Sequence, residues 1–119
     1  MPVDNQISNE GNQSRRHYQR LQRIMLYISN NLQYNLGPKK VAEKFSISIS
    51  TLEHLFKQHT HQSYHHYLEV VRMRQALYLL TQEGKIVKEA MALTGYKNRR
   101  TFTRAFKRVF QQTPGYFMK

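Results

Sequence analysis

Between its few glycines and prolines the chain repeats apolar positions every three or four residues, the spacing of a helix stripe and not the alternation of a strand. From His17 to Leu32 the residues Leu21, Ile24, Met25, Ile28 and Leu32 predict a first helix. Gly37-Pro38 opens a second, two-turn helix, since proline loses nothing in a first turn, with Val41, Ala42 and Phe45 facing inward. A third helix follows Ser46-Ile47 and carries Ile49, Leu52, Leu55, Phe56 and His59 on one side. Either Ser48 or Ser50 can cap it, and Ser50 with Glu53 matches a capping box. A long pattern through Tyr64, Tyr67, Leu68, Val71, Met73, Ala76, Leu77 and Leu80 ends before Gly84, about 27 Å of helix for roughly 18 residues. A short helix with Ile86, Ala90 and Leu93 leads to Gly95, and a last long one buries Phe102, Ala105, Phe106, Val109 and Phe110. Pro114 and Tyr116-Phe117 begin a final turn. The expected fold class is all-α, with about seven helices and no strands.

These pieces form an internal repeat. Val41 to Ile47 lies over Ala90 to Tyr96 at an offset of 49, and Leu52, Phe56-Lys57 and Thr60 lie over Phe102, Phe106-Lys107 and Phe110 at an offset of 50. Each unit is a short helix, a turn and a longer helix, the proportions of a helix-turn-helix, whose second helix fits a DNA major groove. The expected organisation is a disordered polar tail over 1–16 and a domain over 17–119. That domain divides into a first helix-turn-helix unit (17–61), a linker helix (62–83) and a second unit (84–119).

Charge gives the repeat a direction. Of 119 residues, 19 are Lys or Arg and 7 are Asp or Glu, a formal net charge of +12. An excess of this size points to a polyanionic partner, nucleic acid or an acidic membrane surface. Residues 85–119 hold nine Lys or Arg against one Glu, whereas 35–84 hold six against four acids. With Phe102, Ala105, Phe106 and Val109 turned inward, the outward face of the last long helix centres on Arg100, Arg104 and Lys107, flanked by Thr103 and Arg108. Arginine near the start of such a helix can pair with guanine O6 and N7, while Lys107 and Arg108 suit phosphates. The matching face of the third helix presents Ser50, His54 and Lys57 with Thr51 and Glu53 beside them. Glu53 could accept from cytosine N4 or serve only as the cap of Ser50.

Other chemistry finds little support. There is no cysteine, hence no disulfide or thiolate site. His61 and His65 could share a metal if one helix held both, but no carboxylate of matching spacing accompanies them, so no metal or cofactor is expected. No nucleophile with a base, paired carboxylates or glycine-rich phosphate loop stands out, and an enzyme is not expected. No apolar run approaches the roughly 20 residues of a membrane span, and no secretory signal opens the chain, which reads as cytoplasmic. Arg15, Arg16, Arg20 and Arg23, with Tyr18, form a second basic cluster, read as a solvated terminus or a grip on phosphates.

The stretch Gly95-Tyr96, then Thr101 to Phe110 (TFTRAFKRVF), then Thr113-Pro114-Gly115-Tyr116-Phe117 resembles the second-half signature of AraC/XylS transcription regulators, and the resemblance spans Leu21 to Phe117. It implies seven helices, two recognition helices in successive major grooves of double-stranded DNA, and activation by contact with RNA polymerase. Carried over position by position, it places base reading at Ser50, Glu53, His54, Arg99, Arg100 and Arg104, and backbone contact at Thr101. Together with the helix-face reading, the expected backbone set is Thr51, Lys57, Thr101, Thr103, Lys107 and Arg108. The chain departs from the family pattern at Ser46-Ile47, in place of a glycine and an aromatic, at Gln112, in place of a glycine before Thr-Pro, and at Met118-Lys119, in place of a closing arginine. The reading is therefore a sequence-specific regulator, expected to act as a monomer on an asymmetric site, either as a stand-alone member without a separate ligand-binding domain or as a C-terminal fragment of a larger regulator. The alternatives are a nonspecific architectural protein and a basic protein at anionic membranes.

Overall fold

The computed structural model describes residues 2–118, with side chains from residue 13 onward; Met1 and Lys119 lie outside the described residues. Seven helices follow one another: α1 (Pro2–Ser29), α2 (Pro38–Lys44), α3 (Ile49–Thr60), α4 (Tyr64–Thr81), α5 (Val87–Leu93), α6 (Arg99–Phe110) and α7 (Pro114–Phe117). No strand occurs among the described residues.

Two cores form, one at each end of α4. Leu21, Ile24 and Ile28 of α1, Val41 and Ala42 of α2, and Leu52, Leu55 and Phe56 of α3 close around Tyr64 and Leu68. Met73, Ala76, Leu79 and Leu80 then close with Ala90, Met91, Phe102, Ala105 and Phe106. Between the first group and the second the buried face of α4 turns by roughly 120° at 3.6 residues per turn. One rod thus belongs to both units, and its pattern is not a single stripe.

The repeat extends to the turns and caps. Both short helices end in a Schellman motif: Ile47 N–H donates to Ala42 O at 3.0 Å and Ser46 N–H to Glu43 O at 3.1 Å, while Tyr96 donates to Met91 O at 2.9 Å and Gly95 to Ala92 O at 3.4 Å. The left-handed residue is Ser46 (φ 56°) in the first turn and Gly95 (φ 84°) in the second. From there the second turn carries one more residue before its cap, which is why the offset steps from 49 to 50. Ser48 caps α3 by accepting from Thr51 N–H at 3.0 Å, and Asn98 caps α6 by accepting from Thr101 N–H, also at 3.0 Å. α3 and α6 both end on left-handed residues, His61 (φ 60°) and Gln111 (φ 59°). Packing repeats as well: Phe56 meets Tyr67 with ring centroids 4.9 Å apart, and Phe106 meets Phe117 at 5.8 Å.

Several expectations change. The polar segment expected as a disordered tail over 1–16 continues α1 back to Pro2, since extending an existing helix adds a hydrogen bond per residue without a new nucleus. At its other end α1 stops at Ser29, and Leu32 is buried from the following loop. Ser50 is not the cap of α3 and makes no capping box. Ile49, Ile86 and Leu93, expected inward, are exposed, because the helix ends they occupy turn them away while Ala90 and Met91 fill the second core. The left-handed position before Thr113-Pro114 is Gln111, one residue earlier than the glycine position assigned to Gln112. His61 sits in the turn between α3 and α4, so His61 and His65 do not share a helix face.

Candidate nucleic-acid interface

α3 and α6 occupy equivalent places and are buried to the same pattern: Leu52, Leu55 and Phe56 inward in one, Phe102, Ala105 and Phe106 inward in the other. What they leave outside differs in charge. On α6 the side chains of Arg99, Arg100, Arg104 and Lys107 are exposed, with Thr101 exposed among them and Thr103 half-buried. Three arginines within the first two turns give forked donors on a rigid element, the form in which guanine edges and phosphates are gripped. On α3 Ser50, His54 and Lys57 are exposed and Thr51 and Glu53 are half-buried.

Three of the expected site residues already have protein partners. Thr51 belongs to the α3 cap, its hydroxyl accepting from Ser48 Oγ at 2.9 Å. Glu53 accepts from the Tyr64 N–H through Oε2 at 3.4 Å, so it caps α4 across the turn. Arg108 is the clearest change. It forks onto Glu69 of α4, Nε to Oε1 at 3.0 Å and Nη2 to Oε2 at 2.8 Å, and so ties the end of α6 to the linker helix. The guanidinium beside Glu69 holds that carboxyl below its ordinary value, against a smaller opposing effect of burial. Arg108 thus differs from its neighbour Lys107 in having a structural partner before any DNA arrives.

Sequence reasoning missed Arg72, which has no repeat partner or motif to single it out. Half-buried in the cleft between the units, it donates through Nη2 to Tyr34 O at 3.0 Å and stands over the Tyr96 ring, 5.8 Å from its centroid. It also missed Lys39, Lys40 and Lys97, exposed cations at the start of α2 and in the turn before α6. The Gly37-Pro38-Lys39-Lys40 run was a signal for the first two. Among the described residues no group of three His, Asp or Glu is placed to hold a metal, and no helix is long and apolar enough to cross a membrane.

Two helix-turn-helix units on a shared rod, each offering its second helix outward, define a double helix-turn-helix DNA-binding domain. A family model described as a helix-turn-helix domain, of AraC type, matches residues 41–119. Over 95 residues the chain is 30% identical to the HTH-type transcriptional activator RhaS of Salmonella newport (strain SL254) and of Salmonella agona (strain SL483), covering 80% of this chain and 34% of each relative. The chain therefore spans about a third of the length of these curated relatives. The C-terminal domain of AraT, a response regulator from Geobacillus stearothermophilus, matches with a TM-score of 0.78 at 27% identity over 82% of both chains. A transcriptional regulator of AraC-type DNA-binding domain-containing proteins from Chromobacterium violaceum shares the fold, with a TM-score of 0.75 at 23% identity over 83% of this chain and 88% of that one. The chain belongs to the AraC/XylS family of transcription regulators and contains its DNA-binding domain.

Proposed function

We propose that the chain binds an asymmetric double-stranded DNA site as a monomer, with α3 and α6 in successive major grooves, and activates transcription through contact with RNA polymerase. The observation that carries this reading is the exposed arginine face of α6, set on a helix whose burial repeats that of α3. Arg99, Arg100 and Arg104 read base edges; Lys107, Thr101 and Thr103 hold the backbone, helped by Lys39, Lys40 and Lys97. The first unit contributes Ser50 and His54 to base edges and Lys57 to phosphate. Glu53 serves the protein through Tyr64 and reads a base only from that position. Activation is supported by the name of the RhaS relatives, and the cytoplasm is where such a chain would meet chromosomal DNA.

Arg100→Ala and Arg104→Ala test the base-reading assignment. Each is expected to relax preference at one base pair, a discrimination of about 1–3 kcal/mol, while binding to random duplex falls far less. Equal losses on specific and random DNA would show that these arginines only hold phosphates. A nonspecific architectural role would rest on charge alone, and it predicts that no motif emerges when bound sites are selected.

A further inference from the structure

The two units are joined covalently by α4, but they also touch a second time. After α1 the loop over residues 30–37 presents the carbonyls of Leu36 and Tyr34 to α4 and that of Leu32 to the second unit. Leu36 O accepts from the buried Tyr64 hydroxyl at 2.6 Å, which anchors the loop to its own unit. Tyr34 O accepts from Arg72 at 3.0 Å, at the passage of α4 from Leu68 of the first core to Met73 of the second. Leu32 O lies against Gly95 of the second unit, so close that a Cβ placed there would stand 2.4 Å from it.

Gly95 and Ser46 are equivalent residues of the two turns, and both are left-handed. Serine serves in the first turn, so the backbone conformation alone does not demand glycine in the second. What separates the two positions is the Leu32 carbonyl. The same Cβ would also press on Arg72, at 3.1 Å from Nη2. Arg72 holds its place although its Nε is buried without a partner, an arrangement that costs free energy and is kept by the contacts the guanidinium makes on both sides, the Tyr34 carbonyl and the Tyr96 ring.

We infer that Arg72 and Gly95, closed on the carbonyls of Tyr34 and Leu32, clamp the two helix-turn-helix units in one mutual orientation and thereby make the chain select DNA sites by the spacing between their halves. This rests on the double-groove reading above. Inserting one base pair moves the second half-site by about 3.4 Å along the duplex and about 34° around it. Units joined only by a flexing helix could follow that displacement; clamped units cannot. Arg72, half-buried on protein groups, and Gly95, without a side chain, act here as positioning residues.

The test uses the full chain and duplexes carrying the two half-motifs selected by the unaltered protein, with one or two base pairs added or removed between them. The unaltered chain is expected to lose about tenfold or more per base pair of displacement, comparable to a mismatched pair. Arg72→Met, which keeps the stem and removes the fork, is expected to cut that penalty to within about threefold while each half-motif keeps its base preferences. An unchanged spacing profile, or an equal loss of affinity at every spacing, would overturn the clamp. Because the chain has no cysteine, spin labels at Glu43→Cys and Gln112→Cys report the inter-unit distance in the free protein. The clamp predicts one narrow distribution that broadens with Arg72→Met and with the gentler Arg72→Lys; no broadening in either contradicts it even where a variant binds DNA poorly. If the unaltered chain selects no two-part site, the double-groove reading fails and spacing selection fails with it, while the labels still decide whether the units are clamped.

Discussion

At position 108 a side chain that completes the basic face of α6 in sequence is drawn onto Glu69, and this forked pair sets how many cations α6 offers to DNA. Glu69→Gln removes the anion and releases the arginine. The expected outcome is tighter binding to all duplexes, with a salt slope steeper by up to about one unit, whereas Lys107→Ala flattens the slope by about one unit. Binding titrations across a salt series check both. The pH dependence of the pair has a definite sign. Since the folded carboxyl lies below its ordinary value, the stability it contributes is present above the usual carboxylate range of about pH 4 and is lost as the pH falls through the folded value. Tyr64 has the opposite sign: burial raises its hydroxyl above the usual tyrosine value, so its contribution is full below about pH 10 and is lost as the pH rises toward the folded value. Tyr64→Phe leaves the Leu36 carbonyl buried without its donor. A loss of about 1–3 kcal/mol in urea unfolding is expected.

At the scale of elements, the helices were legible because their stripes are regular and their ends are punctuated. Gly37-Pro38, Gly84, Gly95 and Pro114 all fall at helix boundaries, and the repeat disclosed both helix-turn-helix units before any geometry. Helix ends were harder, since they depend on which of several polar residues reaches an N–H. Ser48 was preferred over Ser50 because only a residue three before Thr51 can accept from it in that register. The outward face of α6 was legible from the positions of its phenylalanines. The partners of Glu53 and Arg108 were not, because they lie on α4, and the Tyr34 contact of Arg72 spans 38 residues. Left-handed positions without glycine were legible only in part: Ser46 was marked by the repeat, His61 and Gln111 by nothing local. A left-handed conformation costs an ordinary residue roughly 1–2 kcal/mol, offset in part by the extra freedom glycine loses on folding. Ser46→Gly and Gln111→Gly are each expected to raise stability by up to about 1 kcal/mol, seen as a higher urea midpoint at unchanged slope.

For the whole molecule, the +12 charge is distributed for a purpose that the fold makes visible. Two-thirds of the net excess lies in residues 85–119, and its exposed members gather on α6, while α3 offers one lysine and a histidine on an equivalent helix. Under the proposed function the second unit would supply most of the attraction to phosphate, with Lys39, Lys40 and Lys57 as the first unit's share. Selecting bound sites from a pool of random duplex DNA with the full chain tests this account most directly. The expected result is an asymmetric two-part motif, its halves centred about one helical turn or 10–10.5 base pairs apart, with the sharper half lost in Arg100→Ala. Recovery of no motif, or of a single short motif indifferent to the sequence one turn away, would contradict it.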